Sequence, residues 1–251
     1  MHHETNEQQA HETIQETKSN TVFLPASILI AGVLIAGSVI YSAGRKTPNP
    51  VPQPTGGNNP PAVAGADLTK ALAVGNRDVI LGDAKAPVTL IEYGDYQCPF
   101  CGKMFTQVEP QLREEYIKTG KVKMVYRNFQ FLGTESANAG ASAECAKDQG
   151  KFWAYHDALY TAEIKDGSEN NGNLNKTLFV KLAGDAGLDV PAFTSCYDSG
   201  KYTAQVEKDR TAAGAIGVNS TPTSYVNGQM VQGAQPYSAF KSVIDIALQK
   251  K

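Results

Sequence analysis

The chain has 251 residues, 41% of them hydrophobic and 19% charged, with a formal net charge of −2. This balance gives no basic footprint for a nucleic acid or other polyanion. With an N-terminal part that cannot belong to a core set aside, roughly 185 residues remain, enough for one generous domain.

Residues 1–21 are polar, with four glutamates, three histidines and a single lysine, Lys18, so they lack the apolar groups needed to offset the entropy of ordering and are expected to form a disordered tail. His2, His3 and His11 sit on this tail without supporting groups, which argues against a metal site. Residues 22–41, VFLPASILIAGVLIAGSVIY, carry no charge over twenty positions, the length a helix needs to cross roughly 30 Å of hydrocarbon. A single transmembrane anchor is expected over 22–43; Ser42-Ala43-Gly44 offers small residues for a cleaved signal peptide, but the apolar run is long for one and the preceding tail is acidic. Arg45 and Lys46 follow the span while only Lys18 precedes it, a small positive-inside bias that would hold the C-terminal part in the cytoplasm; the cysteines argue the other way. Residues 44–66 contain six of the thirteen prolines and are expected to form an extended linker, reaching roughly 50 Å at about 3.1 Å per residue.

The domain proper, 67–251, opens with two β-rich runs, Asp78 to Leu81 and Val88 to Tyr93, the second leading straight into a cysteine motif. A helix is predicted from that motif, with Phe105, Val108, Leu112 and Tyr116 at helical spacing, a kink at Pro110 and a stop at Gly120. Lys121 to Phe129 reads as the next strand. Four or five helical segments follow, over about 134–216, and the aromatics Phe152, Trp153 and Tyr155 among them read as core packing. Thr223 to Val226 and Met230 to Val231 flank Asn227-Gly228, a hairpin signal, and Tyr237 to Gln249 closes the chain as an amphipathic helix.

The chemistry is expected in Cys98-Pro99-Phe100-Cys101. With Cys98 at a helix N-cap and Pro99 at the first helical position, the Cys98 sulfur faces unpaired backbone N–H groups and the positive end of the helix dipole, which stabilises its thiolate. The thiolate is the nucleophile in disulfide exchange, so Cys98 is the attacking residue. Cys101, one turn on and deeper, is placed to resolve the mixed disulfide. A zinc site would need a second close pair of ligands, but Cys145 and Cys196 stand far apart without neighbouring histidines. A cysteine-protease reading would need a histidine, and His156, in FWAYHDALY, reads as part of a packed helix. Cys145 and Cys196 fall in two predicted helices, and an even cysteine count in an exported domain suggests that they pair, two buried free thiols being the alternative.

VTLIEYGDYQCPFC, GKFWAYHDALY and STPTSYVNGQMVQGAQPYSAFK, in that order over about residues 75 to 250, together resemble the DsbA-like thiol-disulfide oxidoreductases. The resemblance implies an α/β thioredoxin fold with an inserted helical domain, here preceded by the single N-terminal transmembrane helix. It implies an extracytoplasmic enzyme, periplasmic or cell-surface, that passes the Cys98–Cys101 disulfide to reduced exported proteins. A membrane thiol oxidase would reoxidise it, and the cysteine pair would serve in place of any cofactor. Thr221-Pro222 matches the family's cis-proline loop, which places Thr221 and Pro222 on the substrate side together with Pro99 and Phe100. Glu92, six positions before Cys98, matches the place of a buried acid that manages the proton of the resolving thiol; a solvent-facing strand residue is the plain alternative.

Two departures bear on activity. Phe100 stands where the strongest oxidants of the family carry a histidine, so its side chain brings neither hydrogen bond nor positive charge to the Cys98 thiolate, and a less acidic Cys98 and a milder oxidant are expected. Thr221 replaces a valine found in some members and is shared with reductive and isomerising relatives, which leaves a reductase or isomerase open as alternatives. A noncatalytic tethered binding module is a third; it predicts that Cys98→Ser leaves biological activity intact.

Overall fold

A computed structural model of the chain describes residues 67–250. The expected polar tail, the membrane anchor at 22–43 and the linker at 44–66 lie outside the described residues, and among the described residues no helix is long and apolar enough to cross a membrane. The order of elements is a short helix α1 (Leu68–Ala71), β1 (Ile80–Leu81), β2 (Val88–Gly94), α2 (Pro99–Gln107), α3 (Glu109–Leu112), a π-helical turn (Arg113–Ile117) and β3 (Val122–Asn128). Five helices follow, α4 (Thr134–Lys147), α5 (Phe152–Asp166), α6 (Lys176–Asp185), α7 (Val190–Asp198) and α8 (Thr203–Ala215). The hairpin β4 (Thr223–Val226) and β5 (Gln229–Gln232) and the helix α9 (Tyr237–Gln249) complete the chain.

The sheet runs β1-β3-β2-β4-β5, with β2 parallel to β3 and the other neighbours antiparallel. This is the α/β thioredoxin fold, with the α4–α8 block inserted between β3 and β4. Alternation along β2 sorts its side chains. Val88, Leu90 and Glu92 point to one face, where Met104 of α2, Val108 at the α2–α3 break, Leu112 of α3 and Phe240 and Ile244 of α9 cover Val88 and Leu90. Ile91 and Tyr93 point to the other, against Ala213 of α8 and Val218. Gly94 is fixed by close approach: a Cβ there would fall 2.5 Å from the Tyr126 ring of the neighbouring strand. Asn227 and Gly228 both take positive φ, 46° and 89°, which the tight β4–β5 turn requires.

Three elements differ from the sequence-based expectation. The first strand is shorter, because Asp78 is drawn into an ion pair with Arg127, 2.9 Å, and only Ile80–Leu81 pair with β3. The helix after the cysteines breaks at Val108 (φ −113°), two residues before Pro110, which has no N–H to continue the ladder. Its continuation winds one turn as a π-helix, with Lys118 N–H donating to the Arg113 carbonyl at 2.9 Å, which keeps Tyr116 and Ile117 buried.

Candidate active site

β2 ends at Gly94, and the loop that follows is held by Asp95. Its buried carboxylate accepts from the N–H groups of Gln97 (3.0 Å), Phe131 (2.8 Å) and Leu132 (3.1 Å) and from the Ser136 hydroxyl, so the approach to the cysteines and the start of the insertion are tied to one side chain. The Asp95 carbonyl also accepts from Cys98 N–H at 3.1 Å. Cys98 is thereby set at the N-cap of α2 (φ −70°, ψ 119°) with Pro99 in the first turn, where the missing proline N–H costs nothing.

The two cysteines are free thiols in very different surroundings. Cys98 is 7% exposed and its thiol is pulled down to about 6. The largest cause is the hydrogen bond from the Cys101 thiol. Burial opposes it, and the Thr221 side chain and the backbone N–H groups of Cys101 and Phe100 add to the lowering. Thr221 acts here without a hydrogen bond of full geometry, since its buried Oγ1 has no partner. The Phe100 ring donates nothing to this thiolate, but its backbone N–H helps to hold the charge. Cys101 is wholly buried among Tyr96, Tyr126 and Tyr160, and its thiol is pushed well up by burial first, then by its hydrogen bond to Cys98 and by the charges of Cys98 and Glu92.

Across from the cysteines, the Thr221–Pro222 peptide is cis, and the Thr221 carbonyl lies 3.5 Å from Cys98 Sγ, which donates to it when protonated. Phe100 is 61% exposed beside this pair of loops, so Thr221, Pro222, Pro99 and Phe100 are brought together around Cys98. A cavity of about 660 Å³ opens on the other flank of Cys98, between α2 and α5, with Pro99, Gly102, Tyr160 and Ile164 in its wall.

Glu92 is 0% exposed, and neither carboxylate oxygen has a hydrogen-bond partner. Its carboxyl is held well above the usual range, by burial first and next by the Glu109 charge, against the pull of Arg113. Ser224, opposite Glu92 in the β2–β4 ladder, also keeps a buried hydroxyl without a partner. Glu109, Arg113, His156 and Asp157 join this side of the site and were not singled out as site residues from sequence; the one local signal was the Glu109/Arg113 spacing of four, which marks ordinary surface ion pairs just as well. Asp95 was missed too, though an acid just after a strand-ending glycine is a turn-capping signal.

Cys145 of α4 and Cys196 of α7 are joined by a disulfide with Cα atoms 5.9 Å apart, wholly within the insertion.

A thioredoxin family model matches residues 75–246. A probable disulfide bond formation protein D of Bacillus anthracis is 34% identical over 175 residues, covering 68% of this chain and 78% of that protein. Among solved structures, oxidised BdbD of Bacillus subtilis is 28% identical with a TM-score of 0.63, covering 69% of this chain and 94% of that one. Wolbachia pipientis α-DsbA1 is 25% identical with a TM-score of 0.65, covering 72% and 96%.

Proposed function

Because the chain belongs to the thioredoxin family, as a thiol-disulfide oxidoreductase of the DsbA type, we propose that it acts as a dithiol oxidase on exported proteins, held at the outer face of a membrane by residues 22–43. The observation that carries the direction of transfer is the Cys98 thiol near 6. A thiolate stabilised in the reduced enzyme makes Cys98 a good leaving group and the Cys98–Cys101 disulfide easy to give away.

In the forward reaction a substrate thiolate attacks Cys98 Sγ. The substrate–Cys98 bond forms, the Cys98–Cys101 bond breaks, and Cys101 leaves as a thiolate that takes a proton. The substrate's second thiolate then attacks its own sulfur in the mixed disulfide and expels Cys98 as a thiolate. The substrate has lost two electrons and the enzyme has gained them. We assign to Glu92 the proton transfer to Cys101, since burial holds its carboxyl well above the usual carboxylate range and its charge is felt by Cys101. The backbone at Thr221, beside Cys98, suits pairing with an extended substrate, with Pro99 and Phe100 forming the apolar rim. The cysteine pair is the redox group, and no other cofactor enters this scheme. Regeneration calls for a thiol oxidase in the same membrane.

The export of the domain is supported by the Cys145–Cys196 disulfide, which persists in an oxidising compartment, and by the uncharged run at 22–41. Protease and a membrane-impermeant thiol reagent applied to intact cells test this: reaction before lysis is expected, and reaction only after lysis contradicts it. Equilibration of the cysteine pair with a glutathione buffer tests the direction. A potential near about −120 mV marks an oxidase, and one near about −270 mV marks a reductase.

A further inference from the structure

The Thr221 side of Cys98 has a task in disulfide transfer; the cavity of about 660 Å³ on its other flank has none. Two helices face each other across it. On α2, Pro99, Gly102 and Thr106 follow at helical spacing, and on α5, Tyr160 and Ile164 stand one turn apart, so each helix turns one stripe toward the space. The hydroxyls in these walls are already bonded within the protein, Thr106 to the Gly102 carbonyl at 2.9 Å and Tyr160 to the Asp95 carbonyl at 3.3 Å. What the walls offer an occupant is therefore mainly apolar, while the charged Lys103 of α2 and Glu169 of the loop after α5 are exposed. Among the described residues five large hydrophobic side chains are exposed, and two of them flank Cys98: Phe100, at 61%, and Ile164, at 40%.

The cavity is built before anything enters it. Gly102 lies buried within α2 without the positive φ that calls for glycine, and glycine in a helix weakens it relative to alanine. A Cβ there would fall 3.0 Å from Ile164 Cγ1, so glycine is what lets Ile164 stand this close to α2 as a wall. The loop wall, 167–169, is pinned at both ends. Gly167, φ 72°, closes α5 with its N–H on the Glu163 carbonyl at 2.9 Å. Asn170 N–H donates to Gln97 Oε1 at 2.6 Å, and Asn170 Nδ2 donates to the Leu132 carbonyl at 2.7 Å. Gln97 immediately precedes Cys98, so this wall is held in place against the nucleophile's own loop. A site ordered in advance loses less entropy on being filled.

We propose that this cavity is a specificity pocket for the substrate polypeptide, taking one large apolar side chain that lies within about three residues of the substrate cysteine. The pocket rests on the oxidase reading above and deepens it by naming the class of segment preferred. Continuity identifies the occupant: Cys98 and Pro99 belong to the cavity's own wall, so a chain joined to Cys98 Sγ and paired on one side along Thr221 carries its other side over this opening. An extended chain advances about 3.3 Å per residue, so about three residues reach about 10 Å from the sulfur. Large apolar side chains are mostly buried in folded proteins and accessible in a reduced, unfolded chain, so the pocket selects cysteines that have not yet been folded away. Gly102, Ile164 and the 167–169 loop shape the pocket without touching the reacting sulfurs, and set specificity rather than catalysis.

The test uses the full chain and reduced dithiol peptides that are identical except for leucine or glycine at one position, moved from a few residues before the first cysteine to a few after it. The kcat/KM of the leucine peptide over that of its glycine twin is expected to reach at least about tenfold at one position within about three residues of the cysteine. Ile164→Ser removes the apolar wall at a side chain that is already part-exposed, and is expected to bring that ratio below about threefold. Ser168→Trp fills the cavity from an exposed loop position and is expected to do the same, so the test stands should either variant fail to fold. A ratio that keeps its wild-type value in folded Ile164→Ser or Ser168→Trp overturns the pocket. Wild-type chain that oxidises none of the peptides brings down the oxidase reading and the pocket with it, whereas wild-type chain that oxidises them all alike brings down the pocket alone.

Discussion

Two sulfurs three positions apart on one helix are held in opposite states, and the difference shows what the fold supplies to the motif. At the rim, Cys98 faces the N–H groups that open α2 and the thiol of Cys101, and it is ionised above about pH 6. On the floor, Cys101 faces three tyrosine rings and the Glu92 carboxyl, and its proton is held well beyond the ordinary cysteine range. A helix start alone would favour charge at one sulfur. The asymmetry comes from burial and from the pair itself: the Cys101 thiol donates to Cys98, while burial and the charges of Cys98 and Glu92 hold its own proton.

The largest expected effect breaks that comparison outright. Cys98→Ser removes the nucleophile, and disulfide transfer to a reduced protein is expected to fall by about 10³-fold or more. Cys101→Ser keeps the nucleophile but not the resolving thiol, so mixed disulfides with substrate are expected to accumulate on non-reducing gels. Wild-type activity in Cys98→Ser marks a noncatalytic module instead.

Removing the Cys145–Cys196 disulfide separates the insertion's own stability from the chemistry it shelters. It closes a loop of 51 residues, so the double alanine variant is expected to lose about 4 kcal/mol by loop-closure entropy, read from denaturant unfolding. Exchange by Cys98, measured where the variant stays folded, is expected to change by less than about threefold, since the disulfide joins α4 to α7 and not to α2.

The pH dependence of stability sharpens the contrast between the two thiols. The folded value for Cys98 lies below that of an unfolded cysteine, about 8.5, so its contribution is present above that pH and is lost as pH falls through about 6. Reduced protein is therefore expected to gain about 2–3 kcal/mol between pH 5 and 8, a gain absent from oxidised protein. Cys101 has the opposite sign: its folded value is raised, and its contribution is lost as pH climbs beyond about 8.5. The reduced-minus-oxidised difference, from paired thermal melts, is expected to rise and then flatten or turn down.

The smallest effect belongs to the residue between the cysteines. Phe100→His places an imidazole at the rim, and the Cys98 midpoint is expected to drop by about one unit, with a potential more oxidising by about 30 mV. An unchanged midpoint would mean that the backbone donors already saturate the thiolate.

Much of this was legible in the sequence because it is local. The Cys98–Cys101 spacing, Pro99 at a helix start, Asn227-Gly228 in a tight turn and the α9 span from Tyr237 to Gln249 each depend on neighbours within a few positions. Glu92 was singled out only through the family resemblance, six positions before Cys98, where a buried acid is expected, and it is 0% exposed. The break at Val108 was nearly so, displaced two residues by the reach of a proline ring. What stayed hidden was assembled at long range. Arg113 meets Asp157 across 44 positions, Tyr96 meets His156 across 60, and the Asp95 carboxylate meets Phe131 across 36. No local pattern marks such meetings, because Glu109 with Arg113 resembles a surface pair and His156 resembles core filling until the fold closes over both.

The most direct test is alkylation of the reduced chain as a function of pH, with each cysteine quantified separately by mass spectrometry. Cys98 is expected to react with a midpoint of about 6, and Cys101 to stay unreactive throughout the range in which free thiols ionise. Equal titration of both near about 8.5 would contradict the division of labour between the two sulfurs.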